Sequence, residues 1–247
     1  CRGAQSLAFM FHEYFLIMDF QVIIDNLPLY LQGLRTTIVL VFASLILGLV
    51  LAIPIALLAA SKRKWVAALP KAYIYFFRGT PLLVQMFMIY HGMGQFEAVR
   101  ESFLWVIFQQ AWACALVAFA LNTAGYTGEI LRGTIAQTPY GEIEAAKSVG
   151  MSNAQIYRRI ILPSTFRRAL PAYGNEVIFM LHGSSLAGLI TIVDLFGAAK
   201  IVNARNFVPF ESFIAAGIFY LAITFMIVWG FKKAEHHWHA YLRPRET

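Results

Sequence analysis

One acidic residue, Glu176, lies well inside a long apolar run of this sequence. A carboxylate in the hydrocarbon of a membrane costs free energy unless it is paired or faces water, so such a residue is a candidate for function. The alternative is that Glu176, about 8 Å along a helix from Pro171, reaches the membrane surface. The glutamate side chain is short for reaching the membrane surface from that depth. We therefore favour a cavity site that attracts a cation, such as the side chain or α-amino group of a basic amino acid.

Other polar side chains in apolar surroundings have two interpretations each. Ser184 and Ser185, which precede Gly188, could offer hydroxyls to a ligand or could bond to their own helix and relax it. The pattern does not decide between the two. Asn122 is typical of a hydrogen bond that joins neighbouring helices in a membrane. His91 and His182 are more typical of packing or interfacial groups than of proton carriers.

The sequence lacks the usual motifs of nucleotide and metal chemistry. No G-x-x-x-x-G-K-[ST] loop is present to hold a nucleotide phosphate, and neither H-E-x-x-H nor C-x-x-C occurs. A short cluster of histidines, His236, His237 and His239, lies on a basic tail, where solvated side chains are more common than metal ligands. We expect no enzyme activity, no metal and no cofactor on this chain. Work against a gradient would then draw on a partner protein or an ion.

The composition indicates a helical membrane protein that must position these groups. Hydrophobic residues make up 59 % of the 247 residues and charged residues only 13 %, about half the charged share of a soluble domain. A membrane helix needs about 20 predominantly apolar residues. Five runs approach that length: Thr36–Ala60, Thr80–Phe96, Ser102–Gly128, Ala169–Val193 and Phe213–Phe231. The predicted fold class is all-α integral membrane, with five transmembrane helices.

The distribution of lysine and arginine predicts the orientation. Fourteen of these residues lie in the segments after the first and third runs and in the tail, against five on the other side, with Arg78 unassigned. An excess of positive charge marks the cytoplasmic side, so the C-terminus is predicted inside and the N-terminus outside. The chain then divides into a partly interfacial N-terminal segment 1–27, a membrane domain 28–236 and a basic cytoplasmic tail 237–247.

Two runs carry internal structural signals. In the first, Ser44, Gly48, Ala52, Ala56 and Ala60 recur every four residues and predict a smooth face for close helix packing. The second is interrupted by Arg78-Gly79-Thr80-Pro81. We expect Thr80 to be the N-cap and Pro81 the first residue of a helix, with a separate interfacial helix before it.

The cytoplasmic loop over about 132–168 is rich in helix signals. Thr138-Pro139 predicts the start of a short helix that Gly150 ends, and Ser152-x-x-Gln155 predicts a capping box for a second short helix. In the first helix, Glu144-Ala145-Ala146 predicts a small-residue surface for another protein. Tyr140, Ile143, Ala146 and Val149 form a narrow apolar stripe on that helix. Because of this apolar stripe, an alternative interpretation is that the helix lies on the bilayer surface as a lid.

The loop also carries a motif. Glu144-Ala145-Ala146, Gly150 and Ile160-x-Leu162-Pro163 resemble the EAA motif, E-A-A-x₃-G-x₉-I-x-L-P, of bacterial ABC importer permeases. Phe77-Arg78-Gly79-Thr80-Pro81 and Leu121-Asn122-Thr123-x-x-Tyr126-x-x-Glu129 resemble the polar amino-acid branch of that superfamily. From about Phe11 to Trp238 the chain is most similar to M-type permease subunits for histidine, lysine, arginine, ornithine or the opines octopine and nopaline.

This resemblance implies a multi-pass protein of the bacterial inner membrane with defined partners. The helix with Glu144, Ala145, Ala146 and Gly150 would dock on a cytoplasmic ATPase, of which there are two, each binding ATP and Mg²⁺. A second permease, usually a Q-type paralogue, and an extracytoplasmic binding protein would complete the importer. Glu176 and Asn122 match positions that line the substrate cavity. An ion-coupled secondary transporter is the alternative, but paired intramembrane carboxylates would be expected there, and Glu176 stands alone.

Overall fold

The computed structural model describes residues 20–238, and every regular element in that range is helical, as predicted. The helices before the loop are α1 (Phe20–Asp25), α2 (Leu27–Ala59), α3 (Lys64–Gly79), α4 (Leu82–Phe87), α5 (Glu97–Arg100), α6 (Trp105–Phe108) and α7 (Ala111–Ala136). The others are α8 (Tyr140–Ser148), α9 (Asn153–Ile156), α10 (Leu162–Gly183), α11 (Leu195–Asn206) and α12 (Pro209–Trp238). Most of the predicted N-terminal segment and of the tail, with His239, lies outside the described residues.

Three helices, α2, α7 and α12, are long and apolar enough to cross a membrane by length and composition. The predicted second span is helical in short pieces, because α4 is followed by a π-helical turn at Met88–Gly92 and a 3₁₀ turn at Met93–Gln95. The predicted fourth span changes from α10 to a 3₁₀ segment, Ser184–Leu189. Of five predicted spans, three are therefore single long apolar helices.

Helix α7 is displaced along the sequence from its predicted range, Ser102–Gly128. Gln110 has an extended backbone, with φ −104° and ψ 120°, so the helix begins only at Ala111. At its other end, Arg132 Nε and Nη2 donate to the two carboxylate oxygens of Glu129 at 2.7 and 2.6 Å. A pair three residues apart on one helix face neutralises both charges, so the helix continues beyond the apolar run.

The predicted smooth face of α2 packs against α7. Its buried members are Ser44, Gly48, Ala52 and Ala56, whereas Ala60 is half-buried. A Cβ atom added at Gly48 would lie 2.1 Å from Cγ2 of Thr123 and 3.1 Å from the carbonyl oxygen of Ala120. Only glycine allows the two backbones to approach this closely. The prediction of close helix packing is confirmed.

The main hydrophobic core lies between α2, α7 and α10. Leu40, Phe119 and Leu181, one from each helix, are fully buried in it. A second cluster joins the start of α2 to α11 and α12 around Tyr30, whose hydroxyl donates to the carbonyl oxygen of Ser212 at 3.0 Å. The two clusters hold α7, α10 and α12 in fixed positions around α2.

The break between α3 and α4 lies one residue later than predicted. Thr80 has an extended backbone, with φ −116° and ψ 144°, and ends α3; Pro81 is the N-cap and Leu82 the first residue of α4. The Thr80 hydroxyl donates to the carbonyl oxygen of Phe76 at 2.8 Å, so it caps the preceding helix. A residue before proline also favours an extended backbone. The prediction that a separate helix precedes the break is confirmed.

The first loop helix, α8, has the predicted ends. Pro139 is its N-cap, and Gly150 has a positive φ of +78°. The Gly150 N–H donates to Lys147 O at 2.9 Å and the Met151 N–H donates to Ala146 O at 3.1 Å. This pair of bonds is a Schellman motif, which satisfies carbonyl groups at the end of a helix.

The second loop helix has the predicted start but not the predicted length. Ser152 and Gln155 form the capping box at the start of α9. A π-helical turn at Tyr157–Ile161 then joins α9 directly to α10, so no separate short helix exists here. Pro163 lies in the first turn of α10, where a missing backbone N–H costs little. The helical segment therefore continues from the loop to Gly183.

Candidate functional site

A cavity of about 530 Å³ lies where the α3–α4 break, α7 and α10 meet. Two of the predicted site residues line it, Glu176 on α10 and Asn122 on α7. The remaining lining residues are Arg78, Gly79, Thr80, Pro81, Leu82, Tyr126, Phe179 and Met180. The cavity thus contains one acidic and one basic side chain on largely apolar walls.

The Glu176 carboxylate is buried, with 5 % of the residue exposed. Thr123 on α7 donates its hydroxyl to Glu176 Oε1 at 2.7 Å. No lysine or arginine within residues 20–238 forms an ion pair with this carboxylate. Burial of a charge is costly unless the charge is paired, and one neutral hydroxyl compensates only part of the lost hydration. The site can therefore accept a cation from a ligand.

Asn122 uses both hydrogens of its side-chain amide within the protein. Its Nδ2 donates to Oε1 of Gln85 at 3.0 Å and to the carbonyl oxygen of Phe77 at 3.3 Å. The residue therefore ties α7 to the α3–α4 break, which agrees with the interpretation as a link between helices. Because both donors are engaged, the Asn122 carbonyl oxygen is the group that remains for a ligand in the cavity.

Gln85 holds the α3–α4 break in shape, a role that the sequence pattern did not reveal. Its Nε2 donates to the carbonyl oxygens of Phe77 at 3.0 Å and Thr80 at 3.1 Å, and to the Thr80 hydroxyl at 2.6 Å. Gln85 is 5 % exposed, so these bonds form away from water. They satisfy carbonyl groups that the end of α3 would otherwise leave unpaired. The signal available in the sequence was a glutamine five residues after the break.

Arg78 is the second residue to which the sequence pattern gave no role. Its guanidinium carbon lies 5.5 Å from the ring centroid of Tyr126, and the Tyr126 hydroxyl lies 3.4 Å from the Arg78 carbonyl oxygen as a hydrogen-bond donor. Stacking on an aromatic ring orients a guanidinium without neutralising its charge. Arg78 can therefore bind a carboxylate in the cavity that also contains Glu176.

Ser184 and Ser185 do not line this cavity, and their predicted place in a substrate site stays a prediction. The Ser184 hydroxyl donates to Leu181 O and the Ser185 hydroxyl to His182 O, each at 2.7 Å. Such bonds back to the preceding turn compete with regular helix geometry. They occur where α10 changes to the 3₁₀ segment, which favours the alternative that these serines relax the helix.

The predicted docking helix α8 is oriented by its small residues. Ala146 is 4 % exposed and packs in a cluster with Ala52, Ala56 and Leu131, whereas Glu144 and Ala145 are exposed. The predicted common surface of Glu144, Ala145 and Ala146 is therefore divided. Because a helix turns 100° per residue, Ala146 faces the body of the protein while its two neighbours face outward.

A helical chain with long apolar segments and a cavity lined by one acidic and one basic side chain is typical of a membrane transport protein. Residues 52–235 match the family described as binding-protein-dependent transport system inner membrane component. The chain belongs to this family, and its place is the inner membrane. The resemblance to ABC importer permeases is thereby confirmed. The ion-coupled alternative is set aside, because members of this family work within binding-protein-dependent systems.

Relatives of known function are similar over nearly their whole length. The nopaline transport system permease protein NocM of Agrobacterium fabrum is 47 % identical over 229 residues, covering 92 % of this chain and 95 % of NocM. The octopine transport system permease protein OccM of Rhizobium meliloti is 40 % identical, and the match covers 96 % of this chain and 93 % of OccM. The histidine/lysine/arginine/ornithine transport system permease protein HisM of Escherichia coli K12 is 41 % identical, and the match covers 87 % of this chain and 91 % of HisM.

Solved structures have the same fold. An amino acid ABC transporter crystallised with histidines matches with a TM-score of 0.79 and 32 % identity, covering 89 % of this chain and 99 % of the other. An inward-facing MetNI methionine ABC transporter matches with a TM-score of 0.71 and 17 % identity, and the match covers 86 % of this chain and 97 % of the MetNI chain. The second similarity is one of fold alone. This chain is therefore a permease subunit of an ABC importer.

Proposed function

We propose that this permease carries amino acids with a cationic side chain, or opines derived from them, through the cavity beside Glu176. The observation that carries the proposal is the buried Glu176 carboxylate, which has a hydroxyl partner and no ion pair in the described chain. The names of NocM, OccM and HisM point to the same group of substrates. A cation in the cavity would offset the cost of burying this carboxylate.

The two charges in the cavity suit a zwitterion with an additional cation. Glu176 would bind an ammonium or guanidinium group, and Arg78, stacked on Tyr126, would bind a carboxylate. A volume of about 530 Å³ falls within the usual range of about 300–1,000 Å³ for small-molecule sites. The Asn122 carbonyl oxygen adds a hydrogen-bond acceptor on the same wall.

The proposed topology has five membrane crossings, with the N-terminus outside and the C-terminus in the cytoplasm. Two crossings are interrupted helices: one runs over Thr80–Phe96, directly after the break at Thr80–Pro81, and the other runs over Ala169–Val193 and passes into the 3₁₀ segment. The two runs have 17 and 25 residues, the limits of the range of about 17–25 residues that membrane helices use. Irregular backbone at membrane depth is tolerated where it lines a cavity, as the α3–α4 break does.

The proposed partners are two cytoplasmic ATPases, a second permease of the Q type and an extracytoplasmic binding protein. Helix α8 would dock on one ATPase through its outward residues Glu144 and Ala145, while Ala146 and Gly150 set its position on the body. ATP and Mg²⁺ would be bound by the ATPases and not by this chain. Closure of the ATPase dimer would draw the docked helices together and open the cavity outward, and hydrolysis would reverse the change.

The test is uptake by the complete complex in proteoliposomes that contain ATP. We expect labelled arginine, lysine, histidine, octopine or nopaline to accumulate when the binding protein is present outside, and glutamine to accumulate much less. Omission of ATP or of the binding protein should abolish uptake. A preference for glutamine would contradict the proposed substrate class, and uptake driven by a proton gradient alone would contradict the ATP-driven mechanism.

A further inference from the structure

The side chain of Arg168 joins three segments at the end of the molecule that carries α8. It projects from α10, and its Nη2 donates to the carbonyl oxygen of Thr134 at 3.3 Å and to the hydroxyl of Thr138 at 2.9 Å. Its Nη1 donates to the carbonyl oxygen of Gln137 at 3.3 Å. Thr134 and Gln137 belong to the last turn of α7 and its cap, and Thr138 directly precedes the N-cap of α8.

These bonds have a clear physical reason. The last carbonyl groups of an α-helix lack intrahelical partners and carry the negative end of the helix dipole, so a guanidinium at that position is favourable. The planar guanidinium also reaches several acceptors at once, which an ammonium group does not. Arg168 Nε is buried and has no partner within residues 20–238, so the contacts to Thr134, Gln137 and Thr138 are the ones that compensate its burial.

A second contact joins the same two helices at the cavity. Thr123 on α7 donates to Glu176 on α10 at 2.7 Å. Arg168 and Glu176 lie eight residues apart on α10, about 12 Å along the helix axis. Helices α7 and α10 are therefore joined by side-chain hydrogen bonds at two places, beside the start of α8 and in the cavity. Both contacts between α7 and α10 thus involve side chains of one helix, α10.

We infer that Arg168 is a positioning residue that transmits the movement of α8 to the cavity wall on α10. The inference rests on the proposed function, because it assumes that α8 meets an ATPase and that the cavity binds the substrate. Arg168 itself contacts neither. Its effect is on the number of ATP molecules hydrolysed for each substrate carried, since it links the two places where these events occur.

The experiment compares Arg168→Gln with Arg167→Gln in the complete complex, reconstituted with the binding protein. Arg167 is the adjacent exposed arginine, so the control removes the same charge from the same turn. A second matched pair is Thr138→Val, which loses the hydroxyl, and Thr138→Ser, which keeps it. ATP hydrolysis is measured with and without arginine-loaded binding protein, and arginine uptake is measured in the same vesicles.

For Arg168→Gln we expect assembled complex, persistent basal hydrolysis and a severalfold increase in ATP consumed per arginine transported. Thr138→Val should shift the ratio in the same direction, whereas Arg167→Gln and Thr138→Ser should match the wild type. An unchanged ratio in Arg168→Gln would overturn the inference. If Arg168→Gln fails to assemble, Thr138→Val decides, and a wild-type ratio there overturns it. Failure of the proposed function is distinct, because the wild-type complex itself would then show no ATP-dependent arginine uptake.

Discussion

At the scale of single residues, the chemistry of the cavity depends on which charges have partners inside the protein. Glu176 receives one hydroxyl hydrogen bond, from Thr123, and Arg78 stacks on Tyr126 without an ion pair in the described chain. By contrast, Glu129 and Arg132 neutralise each other on the face of α7. The cavity therefore contains one acidic and one basic side chain that form no ion pair within the described residues.

Glu176→Gln keeps the shape of the side chain and its bond to Thr123 but removes the charge. We expect uptake of arginine at low concentration to fall roughly ten- to a hundredfold, because a charge-assisted hydrogen bond contributes about 1.5–3 kcal/mol. Assembly with the ATPase and basal hydrolysis should persist. Glu235→Gln serves as the control, because this half-buried glutamate on α12 does not line the cavity. Unchanged arginine uptake by Glu176→Gln would remove this residue from the site.

Gly150 provides a second prediction at this scale, because its φ of +78° lies in the left-handed region. A Cβ atom there would meet nothing within 4 Å, so the cost of substitution is conformational alone. Gly150→Val should cost about 1–2 kcal/mol and weaken co-purification of the ATPase roughly five- to thirtyfold. Gly150→Asn, which tolerates this conformation better, should retain most of the binding. Equal binding by both variants would contradict a role for the Schellman end.

At the scale of elements, helices are placed by their small residues. Ala146 fixes α8 on the body by packing near Ala52 and Ala56, and Gly48 brings α2 onto α7. In each case the absence of a large side chain permits the contact. Substitutions at these positions and at their exposed neighbours should therefore have different consequences.

Ala145→Arg and Ala146→Arg should separate docking from folding. Ala145 is exposed, so Ala145→Arg should leave thermal stability unchanged and reduce ATPase co-purification by steric conflict. Ala146 is 4 % exposed, so Ala146→Arg should destabilise the chain by about 2 kcal/mol or more, since it forces a charge into a packed site. Thermal unfolding in detergent and co-purification measure the two effects. Full ATPase binding by Ala145→Arg would favour the lid on the bilayer.

Gly48→Ala tests the contact between α2 and α7. The added methyl group would lie 2.1 Å from Thr123 Cγ2, so Thr123 must move, and a cost of about 1–3 kcal/mol is expected. Because Thr123 donates to Glu176, arginine affinity should fall as well. Gly133→Ala, on α7 with nothing within 4 Å of its Cβ, is the matched control and should be neutral or stabilising. If Gly48→Ala is as stable as the wild type, Thr123 moves without cost and the prediction is contradicted.

At the scale of the whole molecule, the proposed orientation would place α8 on the side of the ATPase. Single cysteines at Ser61 and Ser152, in a background without Cys1 and Cys114, should be protected from an impermeant thiol reagent in intact cells. Cysteines at Glu97 and Asn203 should react, because the charge distribution places those segments outside. Labelling of Ser152→Cys from outside would reverse the topology and remove the basis for ATPase docking.

Much of the fold could be predicted because helix ends depend on neighbouring residues. The Schellman end at Gly150, the capping box of Ser152 and Gln155 and the small-residue face of α2 all follow from spacing along the chain. Even so, spacing did not reveal that α9 continues into α10 or that α7 begins at Ala111. Those boundaries depend on a π-helical turn and on one extended residue, which hydrophobic patterns do not register.

The sequence by itself determined the all-helical membrane class, the family motif and the isolated acidic residue Glu176. Only the tertiary structure decided which side chains share the cavity. It brings Arg78 and Asn122 to Glu176 and leaves Ser184 and Ser185 outside. The physical reason is that the meeting of α3, α7 and α10 rests on hydrogen bonds between distant residues. Those bonds and the rotation of each helix about its axis cannot be deduced from apolar periodicity, because an apolar run does not specify the direction of its few polar groups.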